Sequence, residues 1–167
     1  MITAICPGSF DPITLGHLNI VRRASRIFER VVVLVMVNAA KPSPMFSIAE
    51  RADMIRRVTA GMGNVEADTC DGLLAEYAKR FEHPVVVKGL RASTDFEAEF
   101  QMAQINNAIN PGLETMFLTS SEKYTFLSSS VVRELAGYGS DLSDFVPREI
   151  IDEVLAKART HGGKTNG

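Results

Sequence analysis

Five short apolar runs alternate along the chain with segments in which apolar residues return at helical spacing. Ile2 to Cys6 reads as a strand, after which Leu18, Val21, Ala24 and Phe28 recur at a period near 3.6. Val31 to Val37 is continuously apolar, the pattern of a strand covered on both faces. Ser47 followed by Glu50 forms a capping box that opens a helix running to about Gly61. Asn64 to Asp68 is a weaker strand, and Leu74, Tyr77, Ala78 and Phe81 mark the next helix. Pro84 to Lys88 is a strand, Phe96, Phe100, Ala103 and Ile109 a helix, and Glu114 to Thr119 the fifth strand. Helices near Ser129 to Gly137 and Pro147 to Arg159 follow, ahead of a polar stretch with Gly162 and Gly163 expected to fray. Strands alternating with helices predict parallel pairing, hence an α/β fold with a Rossmann-like open parallel five-stranded sheet and helices on both faces. Ligands of such sheets bind beyond the carboxyl ends of the strands, at the switch point of the strand order. The residues after Cys6, Val37, Lys88 and Thr119 are therefore expected to share one rim.

Composition narrows the classes. At 167 residues one domain over 1–160 is the simplest division, with 161–167 a flexible tail. A net charge of −2 and a pI near 5.9 supply no global basic field for nucleic acid. No signal-peptide pattern opens the chain, and the longest apolar run, Val31 to Val37, is too short for a bilayer. No membrane role and a cytoplasmic location are expected. Cys6 and Cys70 form no C-x-x-C pair and read as reduced core thiols. The three histidines lack metal-ligand spacing with one another.

The chemistry gathers on the expected rim. After the first strand comes GSFDPITLGH, which is neither G-x-G-x-x-G nor a P-loop. Gly8 and Gly16 permit close backbone approach to a ligand, and His17 falls in the first turn of a helix, where unpaired N–H groups favour an anion. Lys41, in a Pro-containing loop, offers a point charge for a phosphate. Lys88 and Arg91 flank Gly89 at the end of the fourth strand. Glu99, one turn into the next helix, has a solvated face as its ordinary explanation. Ser128, Ser129 and Ser130 open a helix and provide hydroxyls beside its N-terminus, preceded by Tyr124 and Phe126. Arg133 lies a further turn along, which places it farther from the rim than Lys88. Two helix N-termini, several cations and serine hydroxyls on one rim imply a ligand carrying several phosphates.

These residues carry a resemblance. Thr14-Leu15-Gly16-His17 resembles the T-x-G-H signature of the nucleotidyltransferases, and Ser128 to Arg133 (SSSVVR) resembles their second phosphate-binding motif. PGSFDPITLGH, KGLRASTDFEAEFQMAQIN and YTFLSSS, in that order, are similar to the bacterial phosphopantetheine adenylyltransferases, and the similarity runs from about Ile2 to Leu155. The resemblance implies transfer of AMP from ATP to 4′-phosphopantetheine, giving dephospho-coenzyme A and pyrophosphate. It also implies Mg2+, a homohexamer and feedback by coenzyme A. It assigns ATP contacts to Ser9, Phe10, His17, Gly89, Leu90, Arg91, Glu99, Tyr124, Thr125, Phe126, Leu127, Ser128, Ser129 and Ser130. Acceptor contacts fall to Ser9, Lys41, Leu74 and Lys88, with His17, Lys41, Lys88 and Arg91 catalytic. Ser9 stands where many members have Thr, and Lys88 where many have Arg. A cytidylyl- or adenylyltransferase acting on another phosphate monoester keeps the same chemistry with a different acceptor, and a non-catalytic nucleotide sensor keeps only the fold.

Such a reaction needs no general base, because a phosphate monoester is largely ionised at neutral pH, with a second pKa of about 6. What remains is to bring two polyanions together and to neutralise charge on the α-phosphorus, which is a matter of positioning and electrostatics. His17 is accordingly expected to donate a hydrogen bond, not to abstract a proton.

Overall fold

The computed structural model describes residues 1–37 and 43–162, with the side chains of Ser93 and Thr94 left aside. The alternation of runs becomes β1 (Ile2–Gly8), α1 (Leu15–Ala24), β2 (Arg30–Met36), α2 (Ile48–Thr59), β3 (Val65–Cys70) and α3 (Leu74–Ala78). It continues through β4 (His83–Leu90), α4 (Ser93–Ile109), β5 (Glu114–Thr119), α5 (Ser129–Gly137) and α6 (Ile151–Gly162). The strands form one parallel sheet in the order β3-β2-β1-β4-β5. The chain starts in the middle, builds outward through β2 and β3, then returns to lay β4 on the other side of β1. That reversal makes β1 and β4 the switch point.

Strand residues alternate between two cores, as a period of two requires. Ala4, Cys6, Val31, Val33, Val35 and Val87 pack with residues of α1, α2, α5 and α6, including Ile20, Val21, Ile55, Val132 and Val154. Ile5, Val32, Leu34 and Val86 pack instead with Ala75, Tyr77 and Ala78 of α3 and with Leu113. Helices therefore cover both faces, and the β2 run is apolar throughout because neither side of it meets water.

Three strands run past the ends that the sequence pattern predicts. β3 continues through Thr69 and Cys70, β1 through Pro7 and Gly8, and β4 through Gly89 and Leu90. The cause lies in the pairing. β1 is paired with β4 only from Ile2↔His83 to Ile5↔Val86, whereas its ladder with β2 continues to Gly8↔Val35. β4 in turn stays on β5 as far as Leu90↔Thr119. Past Ile5 and Val86 the two halves of the sheet part company, and each half carries its own strand end forward. The gap between them is a crevice at the carboxyl edge. α3 is shorter than its apolar spacing suggests, and the chain leaves it in a turn in which Phe81 N–H donates to the Ala78 carbonyl. At the other end α6 continues to Gly162, past the expected tail boundary, while 163–167 lie outside the described residues.

Of the two cysteines, Cys6 is buried in β1, and burial pushes its thiol up to about 12, which makes it inert. Cys70, expected in the core, is only half-buried, because it ends the edge strand β3. α6 is clasped to α2 by Lys157, whose Nζ donates to Glu50 Oε1 at 2.8 Å, and by Arg57, which bridges Asp53 and Glu153.

The hydrogen bond from Lys157 is the chief reason that the Glu50 carboxyl titrates below its ordinary value. A carboxyl depressed in the folded state stabilises above its unfolded pKa of about 4.3, and that contribution is lost as pH falls through the folded value. Both side chains are more than a third exposed, so the contribution is small. Lys157→Met is expected to lower the urea midpoint at pH 7 by an amount worth less than about 1 kcal/mol. The difference from the parent protein should vanish well below pH 4, read from paired urea titrations.

Candidate active site

The crevice between β1 and β4 is floored by the strand ends and walled by α1, α2 and α5. It encloses about 980 Å³. Among the described residues four cations line it, Arg51, Lys88, Arg91 and Arg133, with three carboxylates, Asp11, Asp95 and Glu99.

The turn between β1 and α1 is organised by the Asp11 carboxylate. It is buried and accepts the backbone N–H groups of Met45 (3.0 Å) and Phe46 (2.8 Å). Arg133 stands 3.8 Å from the same carboxylate and donates to the Asp11 carbonyl at 2.7 Å. Ser129 Oγ donates to the Pro12 carbonyl at 2.7 Å. Two distant parts of the chain, the segment before α2 and the first two turns of α5, are thus tied to residues 11–12 of the β1–α1 turn. Phe10, just before, is buried with a left-handed φ of 48°, a conformation costly for a residue with a side chain. Its ring lies 3.0 Å from where a Cβ on Gly8 would stand, so a side chain at position 8 would press on the ring.

His17 is fixed by a reciprocal cap. Thr14 is the N-cap of α1; its hydroxyl accepts from the His17 backbone N–H (3.3 Å), and its own N–H donates to His17 Nδ1 (3.1 Å). A nitrogen that accepts a backbone N–H carries no proton, so the neutral ring holds its proton on Nε2. The edge-to-face contact with Phe10, at 5.1 Å between ring centres, sets the ring plane. A neutral imidazole held this way presents an N–H donor, whereas proton abstraction would require an open acceptor nitrogen.

On the opposite wall Lys88 is half-buried, and its Nζ is 3.1 Å from Glu99 Oε1. Glu99 is thus no solvated helix residue: α4 carries it back over the end of β4. Arg91 donates to Asp95 (3.1 Å) and to the Leu127 carbonyl (2.9 Å), joining the end of β4 to the loop before α5. Gly89 packs against α1 so closely that a Cβ there would lie 2.8 Å from Ile20 Cγ1. Ser128 caps α5, its hydroxyl accepting from the Val131 N–H at 3.2 Å.

Of the residues singled out from sequence, Ser9, Phe10, His17, Lys88, Gly89, Arg91, Glu99, Tyr124, Leu127, Ser128, Ser129 and Ser130 line this one cavity. Leu74, Leu90, Thr125 and Phe126 do not; Phe126 is 91% exposed at the tip of its loop. Lys41 lies outside the described residues. Arg133 sits nearer than its helical position suggested, because it lies three residues after Ser130 on the side of α5 that lines the cavity, and its Nη2 donates to Ser130 Oγ at 3.2 Å. Asp11 and Arg51 were missed. Asp11 bonds to residues some 34 positions away, which no local pattern reveals. Arg51 had a faint signal, since it stands four residues before the buried Ile55 on the apolar stripe of α2. Among the described residues no three His, Cys, Asp or Glu side chains are placed to hold a metal ion. The cavity carboxylates are each engaged with backbone N–H groups or a cation.

Residues 5–135 match the cytidylyltransferase-like family model. The chain is 52% identical over 154 residues to the phosphopantetheine adenylyltransferase of Rubrobacter xylanophilus, covering 92% of this chain and 93% of that protein. It is 48% identical over 157 residues to the phosphopantetheine adenylyltransferase of Caldanaerobacter subterraneus, covering 94% and 98%. The chain belongs to the phosphopantetheine adenylyltransferase family. The fold has a wider reach: the Plasmodium falciparum nicotinic acid mononucleotide adenylyltransferase complexed with NaAD superposes with a TM-score of 0.66 at 14% identity, over 96% of this chain and 95% of that one. No helix among the described residues is long and apolar enough to cross a membrane.

Asp11 is expected to dominate the integrity of the site. Asp11→Ala strands two backbone N–H groups and removes the carboxylate that faces Arg133, which should cost about 2–4 kcal/mol in urea unfolding. Asp11→Asn keeps an acceptor of the same shape and should lose distinctly less.

Proposed function

We propose that this chain transfers the adenylyl group of ATP to 4′-phosphopantetheine, releasing pyrophosphate and forming dephospho-coenzyme A. The observation that carries the reading is the meeting of the T-x-G-H histidine, Lys88, Arg91 and the Ser128–Ser130 turn in one crevice, in a chain of this family. In the reaction an ionised oxygen of the acceptor phosphate forms a bond to the α-phosphorus of ATP. The bond from that phosphorus to the bridging oxygen breaks, and pyrophosphate leaves. No proton need be removed by the protein at neutral pH.

The nucleotide is read as lying along Ser9, Phe10, His17, Gly89, Leu90, Arg91 and the Tyr124 to Ser130 loop, with Glu99 nearby. The α5 N-terminus and the serine hydroxyls face its phosphates. Ser9, Lys41, Leu74 and Lys88 are assigned to the acceptor. His17, donating from Nε2, stabilises the charge that grows on the α-phosphate oxygens in the transition state, and its cap with Thr14 keeps it aimed without reorganisation. Lys88, Arg91 and Lys41 offset the repulsion between the two anions. Magnesium belongs here to the nucleotide substrate, consistent with an ion that prefers phosphate oxygens and water to protein cages.

We further read the enzyme as cytoplasmic and as a homohexamer subject to feedback by coenzyme A. Assembly is supported by large apolar side chains left exposed: Phe96, Phe100, Met102 and Ile105 of α4 and Met116 of β5 are each 39–49% exposed, and the Phe96 and Phe100 rings stack at 5.6 Å. Exposed apolar side chains that cluster in this way mark interaction surfaces.

With magnesium and ATP, pyrophosphate release should require 4′-phosphopantetheine; equal turnover with nicotinic acid mononucleotide would refute the acceptor. His17→Ala is expected to lower kcat by a factor on the order of 10² to 10³ while the ATP dissociation constant changes little. The acid limb of the rate profile should follow the acceptor phosphate, with a pKa of about 6, and should survive in His17→Ala. Its disappearance in a variant still limited by chemistry would make His17 a base.

A further inference from the structure

Arg51 differs from the other cations of the crevice. Lys88, Arg91 and Arg133 each stand within 4.0 Å of a carboxylate: Glu99 at 3.1 Å, Asp95 at 3.1 Å and Asp11 at 3.8 Å. Among the described residues Arg51 has no such partner, although it is only 5% exposed. Its neighbour Glu50 is engaged on the other side of α2, with Lys157. Arg51 spends two donors on carbonyls, Nη1 to Ser9 at 2.9 Å and Nε to Ser47 at 3.3 Å. A guanidinium has five N–H groups and a full positive charge, and carbonyl dipoles do not cancel that charge. Burying a charge without a counter-ion costs several kcal/mol, a cost that an arriving anion removes. The side chain lines the cavity, and the carbonyl it holds belongs to Ser9, which lines the cavity too.

We propose that Arg51 is an anion-binding residue of this site: it fixes the Ser9 turn by donating to the Ser9 carbonyl and supplies a charge, paired with no described carboxylate, that a ligand phosphate neutralises. The paired cations serve differently, because each must share its charge with a carboxylate. The inference rests on the adenylyl-transfer reading in that pyrophosphate, the product of that reaction, is the anion expected to meet Arg51.

Inorganic pyrophosphate binding, measured by calorimetry on the folded protein, tests it without requiring turnover. Arg51→Met should weaken binding by roughly 10- to 100-fold, the worth of one charge-assisted hydrogen bond in a dry site. Arg51→Lys keeps the charge and should stay within a few-fold of the parent. Arg56→Met, which removes the same charge from the exposed face of α2, should change nothing. Arg51→Gln serves in place of Arg51→Met if the latter fails to fold. Equal affinity in the parent and Arg51→Met overturns the proposal, as does no binding by the parent or a loss as large in Arg51→Lys or Arg56→Met. Failure of the parent to turn over 4′-phosphopantetheine while the binding pattern holds would instead overturn the acceptor assignment alone.

Discussion

Everything in the site depends on the point where β1 and β4 stop pairing. A continuous ladder between them would fill the carboxyl edge with backbone hydrogen bonds and leave no crevice. Pairing instead ends at Ile5↔Val86, while β1 remains bound to β2 and β4 to β5. Both strand ends stay rigid because each keeps one neighbour, yet they diverge enough to admit a ligand. Gly8 and Gly89 stand on those two ends, and each lacks a side chain for a steric reason: the Phe10 ring at one, Ile20 at the other.

A gap of this kind needs closing elsewhere, and the Asp11 carboxylate does it. It accepts two N–H groups from the segment entering α2 and faces Arg133 of α5, so three walls of the crevice meet at one buried charge. The N-terminal turns of α1 and α5 are thereby aimed at the same volume, which concentrates partial positive charge where a polyphosphate would lie. Cations alone would attract an anion without orienting it. The reciprocal Thr14–His17 cap adds direction, since it fixes which nitrogen bears the proton.

Much of this was legible from the sequence. The period-two and period-3.6 runs place all five strands and the main helices, and the Ser47–Glu50 box appears in the structure with both of its hydrogen bonds. Thr14 to His17 and Ser128 to Arg133 pointed to the rim where their residues lie. What sequence could not show were the relations between distant segments. The parting of β1 and β4 has no signature in either strand. Asp11 looks like a turn residue until Met45 and Phe46 fold back on it. Glu99 reads as solvent-facing until α4 brings it to Lys88, and Arg51 reads as one more surface arginine until α2 packs it under the Ser9 turn. Each of these is a pairing that tertiary contact creates and local propensity cannot specify.

The central claim is that the site works by fixed charge and a fixed hydrogen-bond donor, with no protein group taking a proton. The tautomer of His17 tests it most directly, and with only three histidines in the chain its ring nitrogens can be resolved by 15N NMR. The account predicts, in the neutral ring, an unprotonated Nδ1 that accepts the Thr14 N–H and a protonated Nε2, unchanged when ATP binds. A neutral ring protonated on Nδ1, leaving Nε2 as an open acceptor toward the crevice, would contradict it.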